Sequence, residues 1–367
     1  MSKAADLANL IGNINAGGGG VNRNVIINGA MNVAQRGTSA TGLGGNADSY
    51  HTVDRFKLLA EGTTLGRLTM TQDSSAPVGF ANSLKLACTT ADTSIAAAEL
   101  LTLSQMIEGQ NLQHFAKGTS SAKPYAVSFY VKGNASATYV CELFDNSNNR
   151  HVCKTFNVTT DFTRVELSFP ADTTGTISDN NSEGLRLQIF LHAGSNFTSG
   201  TLPATWASKT NTNRAAGISS FFDSTDRTFF ITGVQLEVGQ NPTEFEHEPF
   251  ERTLAKCQRY FYTEVDPDGS MFSLVGFTDS SGSAYIQHIH SPEMRADPTL
   301  STTGVVTDYA LRVGGNTITC NTVPTLSSTS TKFAHVHWRV ASGLTTGHAV
   351  TGKHTGANDF LHWDAEL

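Results

Sequence analysis

Apolar and polar residues alternate with period two over most of the chain. In AVSFYVK, Val127, Phe129 and Val131 share one side, and RVELSF repeats the pattern with Val165, Leu167 and Phe169. LRLQIFLH aligns Leu185, Leu187, Ile189 and Leu191, while FITGVQLEV aligns Phe230, Val234, Leu236 and Val238. A period of two with one apolar side predicts antiparallel strands packed on a shared core. Many such strands, divided by Gly, Asn and Ser turns, predict a jelly-roll-like β-sandwich over residues 22–248. The connections 170–183 and 193–217 are long for a minimal sandwich, and long loops on a rigid scaffold are where binding surfaces are built.

The period changes over 249–262. Phe250, Leu254, Cys257 and Phe261 step at helical spacing. Pro249 suits a first helical turn, where its missing N–H costs nothing. Glu248 and Glu251 lie at the positive end of that helix, with Lys256 and Arg259 towards the negative end. This linking helix predicts a joint, because residues 263–367 return to strands (SLVGF, SAYIQHIH, KFAHVHWRV) as a smaller C-terminal β module. At the other end, Ala4, Leu7, Leu10 and Ile11 form a short amphipathic stripe followed by AGGGG. Residues 1–21 therefore read as a small docking helix on a glycine tether, with Leu7, Leu10 and Ile11 as its contact residues. The fold class expected is all-β: a sandwich, a C-terminal β module, a short N-terminal helix and one linking helix.

Charge narrows the function. The 367 residues carry 25 Lys and Arg against 32 Asp and Glu, a net charge of −7. Without a basic run there is no electrostatic footprint for nucleic acid. No stretch approaches the ~18 apolar residues that cross a membrane, and the N-terminus lacks the apolar core of a signal peptide. The chain is expected to be made in a cytoplasm without membrane insertion. Its five cysteines form no CxxC and are odd in number, which favours buried free thiols over a disulfide framework. Cys141 and Cys153 flank the turn-like DNSNNR and are placed to face one another across a hairpin.

Several motifs, in order, resemble one family. NVIINGAMNVAQRGTS, DSYHTVDRF, PVGFANSLKL, QMIEGQNLQHFAKGT, KPYAVSFYVKG and FITGVQLEVGQNPTEFEHEPFERTLAKCQRYF are similar to segments of tail fibre and tail-fibre-like appendage proteins of tailed bacteriophages. HSPEMRADPTL and the closing WDAEL look like the family's downstream ending. The similarity covers roughly 22–300, with Phe56 where a Trp is common after DR. It implies a sandwich like those of carbohydrate-binding modules, carried on a virion. It also implies a homotrimer, contact with other virion proteins through the N-terminus, and attachment to a host cell-surface glycan. The alternative is a capsid-side head fibre or decoration protein with an architectural role, and a glycan depolymerase is the less favoured third reading.

Candidate chemistry is sparse. Sugars are held by aromatic faces and by amides or charged groups, so Trp206 in TLPATWASKTNTN, with Asn211, Asn213 and Arg214, forms the candidate glycan set. For Trp206 itself the preferred reading is a loop plug on the sandwich rim. HIH (His288, His290) and HVH (His335, His337) each put two imidazoles on one strand face. Three copies around an axis would offer an octahedral nitrogen set for a structural transition metal; the plainer reading is hydrogen-bonded sheet histidines. A calcium site using Asp54 and Glu237 is the other metal option, with ordinary surface charge preferred for both. The acids Asp172, Asp179 and Glu183, and Asp223 with Asp226, cluster in loops at no defined separation. No nucleophile elbow, HExxH or P-loop is present, so the chain is expected to be no enzyme and to require no cofactor.

Overall fold

The computed structural model describes residues 3, 4, 7, 8, 11, 22–264, 275–354 and 361–367. Its contacts divide the chain into two units, Met1–Thr253 and Leu254–Leu367. The division falls inside the helix Phe250–Gln258.

Among the described residues the first unit contains thirteen strands. They are β1 (Ser39–Gly45), β2 (Asp48–Tyr50), β3 (Lys57–Glu61), β4 (Thr63–Asp73), β5 (Ser83–Thr90) and β6 (Leu100–Glu108). After a 3-10 helix come β7 (Tyr125–Gly133), β8 (Ala137–Asp145), β9 (Arg150–Val158), β10 (Thr163–Phe169) and β11 (Glu183–Ala193). The short β12 (Ala207–Ser208) and the long β13 (Thr228–Val238) close the set. They form a six-stranded sheet, β1-β4-β5-β13-β7-β10, and a seven-stranded sheet, β12-β9-β8-β11-β6-β3-β2. Val127, Phe129 and Leu236 from one sheet and Leu143, Leu187 and Ile189 from the other meet in one core. That is a β-sandwich, with the alternating residues of both inner faces between the sheets.

Two details depart from a simple alternation. In β13 the register shifts between Thr232 and Gln235, at Gly233 with φ +63°. This bulge reverses the facing of the strand. Phe229 and Ile231 join Val234, Leu236 and Val238 in the core, while Phe230 lies outside it against Lys85, Lys132 and Phe162. Phe230 therefore does not share the side expected of it. On the β8–β9 hairpin, Cys141 pairs with Lys154 and Glu142 with Cys153. One residue of offset turns the two thiols to opposite faces, so they cannot bridge; all five cysteines are buried.

In the linking helix Thr253 and Cys257 are buried, but Phe250 is exposed. Phe261 already belongs to a strand, so the expected four-residue stripe is shortened at both ends. Of the N-terminal segment, Lys3, Ala4, Leu7, Ala8 and Ile11 are helical, and Leu7 and Ile11 are exposed. Leu10 lies outside the described residues.

Among the described residues the second unit has ten strands: β14 (Phe261–Glu264), β15 (Val275–Ser280), β16 (Ser283–Ile289), β17 (Thr299–Thr302) and β18 (Tyr309–Val313), then β19 (Asn316–Thr319), β20 (Thr325–Thr329), β21 (Phe333–Arg339), β22 (Ala349–His354) and β23 (Leu361–Asp364). A three-stranded sheet, β14-β23-β17, and a seven-stranded sheet, β19-β18-β22-β15-β16-β21-β20, result. Tyr309, Trp338 and Trp363 are the largest members of its core.

Candidate functional site

Buried charge concentrates on the face of the seven-stranded sandwich sheet that points away from the main core. Residues 194–218 run over that face and cover a small second core that includes Leu100, Val140, Cys153, Phe190 and Ala215. Glu142 alternates with core residues Cys141 and Leu143, so its side chain enters this covered layer. Arg214 meets it with a two-pronged contact, Nε to Oε1 at 3.0 Å and Nη2 to Oε2 at 2.7 Å. His151 Nδ1 lies 2.8 Å from Oε1. Arg214 also donates to Gln188, and its guanidinium lies over the rings of Phe144 and Phe190. Burial pushes the Glu142 carboxyl upward, but Arg214 and His151 outweigh it and hold the group below the usual carboxylate range.

A second network stands at the loop end of the same sheet. Lys117 is buried with its ammonium 2.5 Å from Asp145 and 3.1 Å from Asp172, and it donates to the carbonyls of Thr174 and Gly175. Arg150 makes its own two-pronged contact with Asp172 at 2.8 and 2.9 Å. Burial raises Asp172, yet the hydrogen bonds from Arg150 and Lys117 prevail and lower its pKa. Two cations and two carboxylates thus balance, and they pin the 170–183 loop to the β8–β9 turn.

Trp206 plugs this corner. Its indole N–H donates to the Pro170 carbonyl at 2.9 Å, its ring tilts against Tyr125, and Lys117 lies 5.2 Å from its centre. The glycan set expected around it is therefore not assembled. Trp206 and Arg214 are turned inward, and Asn213 accepts from the Thr201 amide. Of the four, only Asn211 is exposed. Beside the plug, Pro124, Ser168, Phe169, Pro170, Ala171 and Gln240 line an open cleft of about 360 Å³.

The metal expectations meet a consistent obstacle. Asp54 and Glu237 are buried, not surface charges. Asp54 accepts from the backbone and side-chain amides of Gln35, and burial raises its pKa. Glu237 accepts from the Thr243 amide and hydroxyl, from Gln235, and pairs with Arg23 at 3.4 Å. Each carboxylate is surrounded by donors, whereas calcium needs oxygen ligands. Glu142, His151 and Cys153 offer ligand atoms within 4.8 Å of one another. Arg214 already neutralises that carboxylate, and burial keeps the Cys153 thiol protonated, so the trio fits a cation poorly.

In the second unit the two histidine pairs occupy opposite faces of their sheet. His288 and His290 are buried, whereas His335 and His337 lie on the outer, half-exposed side. His288 contacts Glu264 and His290 contacts Tyr262, each at 2.8 Å. His337 contacts Ser283 and stacks on Tyr285, and His335 contacts Ser328. The four side chains do not form one ligand set within a chain. Burial first, and then His288, push the His290 pKa down to about 4.

The loop acids do not pair either. Asp172 is clamped as described, Glu183 binds Arg186 and Asp223 binds Arg227, while Asp179 and Asp226 are exposed. The networks missed in the sequence had one visible signal: Glu142 interrupts the otherwise apolar run in TYVCELFD, and His151 and Cys153 alternate opposite it.

No family model and no curated protein matches this chain. Solved structures with a similar arrangement include the enzymatically active domain of a tailspike protein of bacteriophage CBA120. It is 12% identical with a TM-score of 0.29, over 59% of this chain and 21% of that one. A family 11 carbohydrate-binding module from Clostridium thermocellum is 12% identical with a TM-score of 0.28, over 57% of this chain and 98% of the module. A xylan-binding domain from Paenibacillus barcinonensis is 12% identical with a TM-score of 0.26, over 55% and 97%. Likenesses at those scores say nothing of ligand or activity, and the all-β assignment stands on the strand pairing above.

Proposed function

We propose that the chain is a non-catalytic appendage protein of a tailed-phage particle that attaches to a host-surface glycan. The observation that carries the binding half is the open cleft at the sandwich end. It combines apolar faces of Pro124 and Pro170 with the exposed Gln240 amide and Ser168, a mixture that suits a polyhydroxylated ligand. The clamped carboxylates support binding over cleavage. Glycoside hydrolysis needs two carboxyls free to donate and accept at a set separation, and Glu142, Asp145 and Asp172 are each held by a cation. The virion half rests on the ordered motifs from NVIINGAMN to FERTLAKCQRYF.

The test is a glycan microarray probed with the full chain and with Gln240→Ala, whose side chain is exposed. The expected result is retention on a restricted set of glycans, weakened about tenfold (~1.4 kcal/mol) by the substitution, with the bound glycans unshortened. Uniform absence of retention, or shortened products, would sink the proposal.

A further inference from the structure

On three adjacent strands of the seven-stranded sheet of the second unit, large apolar residues stand exposed on the outer side among polar ones. Val275 is 63% exposed, Phe277 55%, Ile289 62% and Phe333 40%. All four alternate with inward residues on the adjacent strands β15, β16 and β21. A solvated antiparallel sheet turns polar residues outward; one that presents Phe, Ile and Val there is built to be covered.

The register sets the layout of this face. Phe277 pairs with Tyr285, and Tyr285 with His337, so a row of rings crosses the three strands. Towards one end of that row lie Ile289 and Phe333, which pair directly. Towards the other end lie Asp279 on β15 and Arg339 on β21, on opposite flanks of β16. Turning a second copy about a two-fold axis parallel to β16 lays β21 of each copy over β15 of the other. Apolar end then meets apolar end, Tyr285 meets its own equivalent, and Asp279 of each copy meets Arg339 of the other. A face that complements itself under a two-fold rotation is the signature of an isologous contact.

We propose that this outer face of β15, β16 and β21 is a self-association surface, occupied by the same face of a second copy. The proposal is independent of the glycan reading, because it involves only the second unit.

The experiment is the mass of the full chain in solution, by light scattering after size exclusion, for wild type, Ile289→Asp, Asp279→Arg, Arg339→Asp and the double charge swap. The expected result is a mass twice the 39.2 kDa of the chain, against the threefold mass that the resemblance to trimeric fibres implies, and a trimer overturns the proposal. Ile289→Asp and each single charge reversal should lower it towards the monomer, and the double swap should restore it. Restoration by the swap distinguishes a lost contact from a misfolded variant. A wild type that is monomeric at micromolar concentration overturns the proposal. So does a multimer of any order that Ile289→Asp and the single reversals leave intact.

Discussion

At the residue scale, Arg214→Ala would leave Glu142 buried with a guanidinium removed from both its oxygens. Breaking one side of a buried pair costs about 3–5 kcal/mol. The expected outcome is a matching fall in the stability of the first unit, read from its denaturant midpoint; a loss under about 1 kcal/mol would contradict the clamp. Glu142 was legible as an anomaly inside an apolar strand, but its partner lies 72 residues away in a loop. No local pattern connects the two. Glu237 was misread for a related reason. Period two reports which side of a strand is apolar, not whether the polar side is also covered. In β13 every residue after Thr228 is buried, and the returning loop through Thr243 supplies the donors that Glu237 needs. Phe56 is buried in the main core, which accounts for an aromatic at that place in DRF without a ligand.

At the element scale, the strands were legible because the alternating apolar residues of β7, β10 and β11 do face the main core, although the other side of β7 and β11 is largely buried too. Where that facing fails, a specific residue is responsible. Gly233 carries φ +63°, and a Cβ there would approach the rings of Phe80 and Tyr130 to 2.8 and 2.9 Å. Gly233→Ala is therefore expected to destabilise the sandwich by about 1–3 kcal/mol through backbone strain alone, before any clash is added. An unchanged thermal midpoint for that variant would mean that the bulge does not require glycine. The helix that the proline and charge order predict over 249–262 spans Phe250–Gln258, so its apolar stripe was over-extended. Periodicity alone does not distinguish a last helical turn from the first residue of a following strand.

At the scale of the whole molecule, the second unit should lose stability in acid through His290. Its pKa falls from 6.5 to about 4 on folding, so the neutral ring is favoured in the folded state. Below 6.5 the unfolded chain binds the proton first, and stability drains as pH falls towards 4. His290→Phe should flatten that slope in the thermal midpoint of the second unit, and an unchanged slope would assign the acid sensitivity elsewhere. What the sequence could not show at this scale was the pairing of β15, β16 and β21, since their alternation reads as an ordinary half-solvated sheet until the exposed residues are seen side by side.

The claim on which the account turns is that this chain is carried on a virus particle as an attachment appendage. Imaging of purified particles labelled with antibody against the chain tests it most directly. The account predicts regular copies at tail appendages; label on the capsid alone, or on free protein with the particles bare, would contradict it.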